Sequence, residues 1–438
     1  MSEAHRGRLG VYVSICVFSF LVNFGRIAFA PLVDFFIRSG ISPATAGLAA
    51  TAVWVGSALP RLPTGYLLTF VSRQRVLLGM GFALTAAAAF TAFSPDIRVT
   101  VAGALFVGLA SGVFFIAANP LVSELYPERV GLAVGLRGMS SQVAAVAAPF
   151  LVGVAIALGS WRVSFGALAA LALAVTGVFL LAVRRAELPD AGAEDRDLLA
   201  GIRSQWRLVA AGVLFVGITG FVWQGVFNFY VTYLGTKDIP TGTANALLTV
   251  TFAAGVPSFI VAGRLADRFS YLWLLTGILA GFVVCLFALT VAEGVLAVVV
   301  VSVAMGFVVH GLFPVADAYL LDTLPDANRA SAYSGYSATM MLIQAGGSVA
   351  VGSLAGAGLT YTGIFRGYAV LVAVLAVAVA LLARAGRLPT GSAVQLAVRR
   401  SGYTAGCKSV KDFAAPGRRI SSRSYSRQYY SRGWIVAR

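Results

Sequence analysis

Between Gly10 and Ala383 the chain is a succession of apolar runs, each about 20 residues long, the length that lets a helix cross a bilayer. Only 11% of its 438 residues are charged, against about 25% in a soluble domain. Hydrophobic residues make up 59%, and mean hydropathy is +0.86. A soluble fold has no place for so much apolar surface, so the chain reads as a polytopic membrane protein. The 48 glycines suit it, because small residues let membrane helices approach closely. The first run has no small-residue cleavage site and is long enough to span, so it reads as a membrane helix rather than a removable leader. Cys16, Cys285 and Cys407 lie far apart, with neither disulfide-framework nor zinc spacing.

Twelve spans are expected, over about 10–36, 44–69, 76–93, 99–123, 132–158, 163–183, 208–234, 243–263, 271–291, 295–321, 331–357 and 367–383. Polar interruptions such as "SGISP", "SPD" and "TKDIPTG" separate them. Lys/Arg bias orients the chain. With the amino terminus in the cytoplasm, fifteen arginines, Arg137 among them, fall in inner loops up to Arg384. Five basic residues fall outside: Arg38, Arg98, Arg162, Lys237 and Arg366. Both termini are therefore expected in the cytoplasm, and the cell membrane is the expected location. Residues 184–207, polar and of mixed charge, read as a cytoplasmic linker between a six-span half at 1–183 and another at 208–384.

The halves repeat. Gly65 and Gly263, Gly108 and Gly306, Glu124 and Asp322, and Pro127 and Pro325 are all separated by one constant interval. Four matches spread over two elements argue for an internal duplication. Because each half has six spans, both halves cross in the same sense, which is a transporter architecture.

At these positions the chain resembles the major facilitator superfamily. Gly263, Leu265, Ala266, Asp267 and Arg268 are similar to its signature loop between the second and third helices of a half. Glu124, Pro127, Arg129, Gly131 and Gly135 resemble its helix 4–5 junction, and Trp161, Arg162 and Phe165 its "WR..F" turn. The resemblance covers about residues 10–384. It implies an all-α membrane protein of twelve transmembrane helices in two six-helix bundles. It also implies a central cavity lined mainly by helices 1, 4, 7 and 10, and rocking between two open states. The first loop copy departs from the pattern, with Thr69 and Ser72 at the Asp and Gly places; only Arg73 and Arg75 keep its basic end. Helix 4 reads "FVGLASG" over 106–112, without the family's usual Arg. Helix 5 reads "AAPFLVG" over 147–153, unlike the Gly-Pro-rich repeat of drug/proton antiporters.

Ionisable groups inside a bilayer cost about 2.5–3.5 kcal/mol each on insertion scales, which makes the few present functional candidates. Arg26 in helix 1 is a candidate anion contact, since a guanidinium grips a carboxylate bidentately; the alternatives are snorkelling to the interface or pairing with Asp34. Asn23 shares its face. His310 in helix 10 is a candidate substrate or proton site, or a neutral imidazole bonded to a neighbouring helix. Asp317 lies on the same face as His310 and is a candidate proton site or gate; at the repeat interval it overlays Asn119. Gln224 and Asn228 in helix 7 are candidate substrate contacts that could equally be helix–helix glue. Arg61 resembles the helix 2 Arg of nitrate/nitrite porters, but Phe259 stands where the paired Arg of helix 8 would be, so Arg61 reads as a gate residue. Asp267, Arg268, Arg73, Arg75, Glu124 and Asp322 complete the expected gate at the cytoplasmic face.

Residues 385–438 differ in kind, with eleven Lys/Arg against Asp412 alone, in an Arg/Ser/Tyr-rich sequence that lacks a core. A disordered cytoplasmic tail is expected; beside a membrane it could bind anionic lipid at about 1 kcal/mol per charge, and an out-of-frame extension with no selected role is the alternative; no nucleic-acid partner is expected. No nucleotide-binding loop, cofactor or metal site is read, and no enzyme activity is expected. The expectation is a monomeric secondary active transporter of a small anionic organic solute, coupled to protons or to a counter-solute. The alternatives are an efflux pump for amphipathic compounds and a transport-inactive sensor of the same fold.

Overall fold

The computed structural model describes residues 3–126, 130–186, 203–266, 268–324 and 329–388. The chain clusters into a unit Met1–Gly391 and a second, Ser392–Arg438, which lies outside the described residues. Most of the linker expected at 184–207 and the tail beyond 388 also lie outside them. Among the described residues there is no strand.

The helices follow the expected spans. The first is α1a (Glu3–Ile27) and α1b (Phe29–Arg38); the second is α2a (Pro43–Ala58) and α2b (Arg61–Leu67). Then come α3 (Arg73–Ala92), α4 (Ile97–Leu125), α5 (Val130–Ala157) and α6 (Arg162–Arg185). The seventh is built from Trp206–Gly212, a π-turn at Val213–Gly217, Ile218–Asn228 and Tyr230–Gly235, together α7. After it lie α8 (Thr241–Ala266), α9 (Tyr271–Val291), α10a (Gly294–His310), α10b (Leu312–Thr323), α11 (Arg329–Gly356) and α12 (Tyr361–Arg384). Among the described residues eleven are long and apolar enough to cross a membrane unaided. The remaining span, the second, is divided into pieces of 16 and 7 residues. The protein is an all-α membrane protein of two six-helix bundles.

The splits in α1, α2 and α10 have one cause. Proline lacks an N–H, and its ring clashes with the carbonyl four residues back. Pro31 acts on Ile27, where α1a ends; Pro314 acts on His310, where α10a ends; Pro63 acts on Leu59, between α2a and α2b. Two functional candidates, Arg26 and His310, thus sit in last turns, where a helix dipole favours positive charge. Starts are fixed locally as well. Ser42 accepts from the Thr45 N–H ahead of Pro43, and Asp96 accepts from the N–H groups of Arg98 (2.8 Å) and Val99 (3.0 Å). Gly40, at φ +87°, makes the left-handed turn out of α1b.

The packing repeats with the sequence. A Cβ on Gly108 of α4 would strike the Val53 carbonyl of α2a; a Cβ on Gly306 of α10a would strike the Thr251 carbonyl of α8. Both partners are related by the interval that relates the glycines, so the duplication is a duplication of contacts. Between the halves, α2 packs on α11 and α5 on α8. At the end of the α2–α11 contact where α2a begins, Cβ atoms on Gly47 and Gly352 would meet the carbonyls of Ser348 and Pro43. The "WR..F" turn ties the first half together: Trp161 packs edge-on against Phe36 (5.6 Å) and Phe165 (5.8 Å), and Arg162 donates to the Ser94 carbonyl at 2.8 Å.

Candidate functional site: a basin of buried arginines between the two halves

Arg26 is 7% exposed and lies in the last turn of α1a. Its guanidinium carbon lies 4.6 Å from the ring centres of both Trp54 and Phe115, so it is held between two aromatic faces. It donates to Asn23 Oδ1 and to Ser57 Oγ (3.5 Å), while its Nε is buried without a hydrogen-bond partner. Asn23 is engaged at both ends of its amide, since its Nδ2 donates to the Ser141 carbonyl of α5 at 2.7 Å. It therefore sets the angle of Arg26. Asp34 is not the partner of Arg26: it bridges to Arg38 at 2.9 Å.

Two more arginines meet the same ring. Arg61 of α2b lies 5.9 Å and Arg137 of α5 lies 5.7 Å from the centre of Phe115. Both are buried. Arg61 Nε donates to the Ser57 carbonyl at 3.2 Å, and its Nη1 reaches across to Ser337 of α11. Arg137 donates to Ser19 Oγ at 3.3 Å and keeps a buried, unpartnered Nε. Ser57 thus serves Arg26 through its hydroxyl and Arg61 through its carbonyl. Gly112 lets it do so: a Cβ there would meet the Ser57 carbonyl and the Pro60 ring.

Among the described residues none of these three arginines is in an ion pair. Three buried guanidiniums cost about 2.5–3.5 kcal/mol each. A desolvated cation–π contact returns on the order of 2 kcal/mol. Aromatic contacts thus offset only part of the cost.

The second half supplies the acid. Asp317 of α10b accepts from the Tyr333 hydroxyl of α11 at 3.0 Å. Tyr333 lies one turn from Ser337, the residue Arg61 touches, so the partners of the acid and of the bridging base share one face of α11. Tyr333 and Tyr336 pack together at 5.7 Å.

His310 sits elsewhere. Its Nδ1 is 2.7 Å from the Gly306 carbonyl of its own helix, and its ring lies among Trp223 (5.5 Å), Phe252 (5.7 Å) and Phe259 (6.3 Å). Gly255 of α8 makes the room, since a Cβ there would strike the imidazole. His310 does not touch Arg26. A line of rings connects them: Trp54 to Phe227 (6.5 Å), Phe227 to Trp223 (5.5 Å), Trp223 to His310. Gln224 and Asn228 are also brought together, as a lock between α7 and α11. Asn228 Nδ2 donates to Gln224 Oε1 (3.2 Å) and to Ser348 Oγ (2.9 Å). One turn before Ser348, Gln344 donates to the Val216 carbonyl (3.2 Å), a group within the π-turn of α7.

Of the expected gate residues, Arg73 and Glu124 form an ion pair joining the start of α3 to the end of α4. Arg75 and Arg268 are exposed, and Asp322 lies in the last turn of α10b. Asp267 lies outside the described residues. The positive-inside count treats Arg137 as a loop charge, and the structure corrects this by burying it in α5. Its position inside the expected span 132–158 was the available signal. Phe115, Trp54, Ser57, Tyr333 and Ser337 carry no such signal; only the fold makes them neighbours. A separate cleft of about 560 Å³ opens between α1b, α5 and α8, lined by Pro31, Phe35, Phe150, Val154 and Asn245. None of the three arginines lines it.

The comparisons agree with this architecture. At a TM-score of 0.71 the chain superposes on a bacterial homologue of the human lysosomal transporter Spinster in its inward-facing, occupied conformation. Identity is 14%, covering 88% of this chain and 98% of that one. A mutant of the nucleoside transporter NupG superposes at 0.70 with 14% identity, over 84% of this chain and 99% of that one. A D-xylose–proton symporter superposes at 0.68 with 14% identity, over 84% and 97%. These likenesses are of fold alone. The MFS-type transporter pytF of Aspergillus terreus (strain NIH 2624 / FGSC A1156) is 25% identical over 173 residues, 38% of this chain. The chain spans 57% of that relative's length. The family model described as Major Facilitator Superfamily matches residues 15–290 and 236–418, and the chain belongs to that superfamily.

Proposed function

We propose that this protein is a secondary active transporter of a small anionic organic solute, working by alternating access and coupled to protons. The superfamily supports transport. The observation that carries the anion is Arg26, buried at the break of α1 between Trp54 and Phe115, with an unpartnered Nε and, among the described residues, no ion pair. A buried cation without a counter-ion is stabilised when a ligand brings one. Asp317 is the proton site in this reading. Protonated, it keeps its contact with Tyr333; ionised, it can draw on Arg61, which the face of α11 holds near it. A change of partner by Arg61 would then alter a bond that joins the two halves, and a ligand that favours one arrangement shifts the equilibrium between states.

The test is uptake of a panel of organic acids into proteoliposomes holding the full chain, with and without a proton gradient. Arg26→Ala is expected to abolish uptake of every acid the protein accepts. Uptake indifferent to both the acids and the substitution would overturn the reading. Resistance to amphipathic drugs on expression would favour efflux; ligand binding without flux would favour a sensor.

A further inference from the structure

We infer that the site selects organic anions carrying two negative charges on one small skeleton rather than monoanions. This deepens the anion reading and rests on it. All three guanidinium carbons, of Arg26, Arg61 and Arg137, lie within 5.9 Å of the centre of one ring, Phe115. They come from three different helices and approach that ring independently. Each is fixed by at least one neutral partner: Asn23 and Ser57 for Arg26, Ser57 and Ser337 for Arg61, Ser19 for Arg137. Among the described residues no carboxylate pairs with any of them. Arg26 and Arg137, each 7% exposed, keep an Nε with no partner. Like charges this close repel in a low dielectric, and neutral hydrogen bonds do not cancel that repulsion.

The charges nearest the basin can be counted. Among the described residues three guanidiniums lie against Phe115, and Asp317 of α10b accepts from Tyr333, one turn along α11 from the Ser337 that holds Arg61. With Asp317 ionised the region holds two uncompensated positive charges. A monoanion leaves one of them unanswered; a dianion answers both. The chemistry shared by candidate ligands is two anionic charges within reach of separate guanidiniums. A dicarboxylate and a phosphate monoester both meet it, since each offers oxygens in the geometry guanidinium forks accept.

Purified full-length protein in detergent, titrated by isothermal calorimetry at neutral pH, tests this with butyrate, succinate and glycerol 3-phosphate. Wild type should bind succinate or glycerol 3-phosphate about 10- to 100-fold more tightly than butyrate, the size of one added charge-assisted contact. Preference between succinate and glycerol 3-phosphate identifies the source of the charge. Arg137→Gln should reduce that ratio about tenfold, and an unchanged ratio would overturn the inference. Equal affinity of wild type for butyrate and both dianions would overturn the inference while leaving the anion reading intact. Failure of wild type to bind any of the three, with a broader acid panel also silent, would overturn both. The wild-type comparison needs no variant to fold. For Arg137→Gln, an unchanged Tm without ligand certifies the preparation.

Discussion

The two halves of this protein share a frame and differ in their chemistry. In the first, Gly108 lets α4 close on the Val53 carbonyl; in the second, Gly306 lets α10a close on Thr251. One step further along the same helices, Gly112 meets Ser57 in the first half, while in the second His310 meets Gly255. The small and large members have exchanged sides. The arginines have no counterparts: at the repeat interval Arg26 overlays Gln224 and Arg61 overlays Phe259. The first half gathers positive charge around Phe115, and the second offers Asp317, an aromatic row and neutral amides. Helix-to-helix contacts are what the duplication preserves, since backbone carbonyls against glycine tolerate no insertion. The side chains around Phe115 and Asp317 touch no such constraint, so they are free to diverge.

The largest expected effect comes from making the first half resemble the second at one position. Arg26→Gln, the residue that overlays it, should lower anion uptake about 100-fold, the value of one charge-assisted hydrogen bond in a buried site. Adding Gln224→Arg to it should not restore uptake, because Gln224 belongs to the lock between α7 and α11 and has no Trp54–Phe115 clamp. Recovery in the double variant would mean that the halves are interchangeable.

Next is Asp317→Asn. Accumulation driven by a proton gradient should fall at least about tenfold, whereas exchange of labelled for unlabelled anion at equal pH should persist. Loss of both together would assign Asp317 to the fold or the binding site rather than to coupling.

The paired glycines give a smaller and sharper contrast. Gly112→Ala and Gly255→Ala each add one methyl to a tight contact and should cost about 1–3 kcal/mol of stability. Gly112→Ala alone should weaken anion binding, because it displaces Ser57 and with it Arg26 and Arg61. Gly255→Ala should move the His310 ring and leave anion affinity near wild type. Thermal denaturation and calorimetry on the two variants separate these outcomes.

The smallest effects belong to the two copies of the signature loop. Thr69 is half-buried and donates to the Tyr66 carbonyl within its own turn, so Thr69→Ala should change transport by less than about twofold. Asp267→Asn, at the copy that keeps its acid, should impair it several times more, about fivefold. Equal effects would remove any mechanical meaning from the asymmetry.

The fold was legible because apolar runs are local. The twelve spans, and the duplication at Gly65/Gly263 and Gly108/Gly306, need only the chain itself. The breaks were not: Pro31, Pro63 and Pro314 each follow one by four residues, while Pro120, Pro149 and Pro257 sit inside continuous helices. Arg26 was legible too, since an arginine flanked by apolar residues on both sides has nowhere to escape. Arg137 gave a weaker signal: it falls inside the expected span 132–158, but near its end, where a charge is ordinarily a loop charge. The meeting of three arginines at Phe115 was beyond reach of periodicity, which gives the face of each helix but not which faces converge. The same limit applies to Gln224 and Asn228: sequence gives their polarity, and only packing shows that Ser348 of α11 takes up Asn228.

Whether the buried arginines of the first half form the anion site is decided by calorimetric titration of succinate into the full-length protein and into Arg26→Gln. Saturable binding to wild type is expected, with an affinity about 100-fold weaker in the variant at unchanged Tm without ligand. Equal affinity in the two proteins would mean that the anion binds elsewhere.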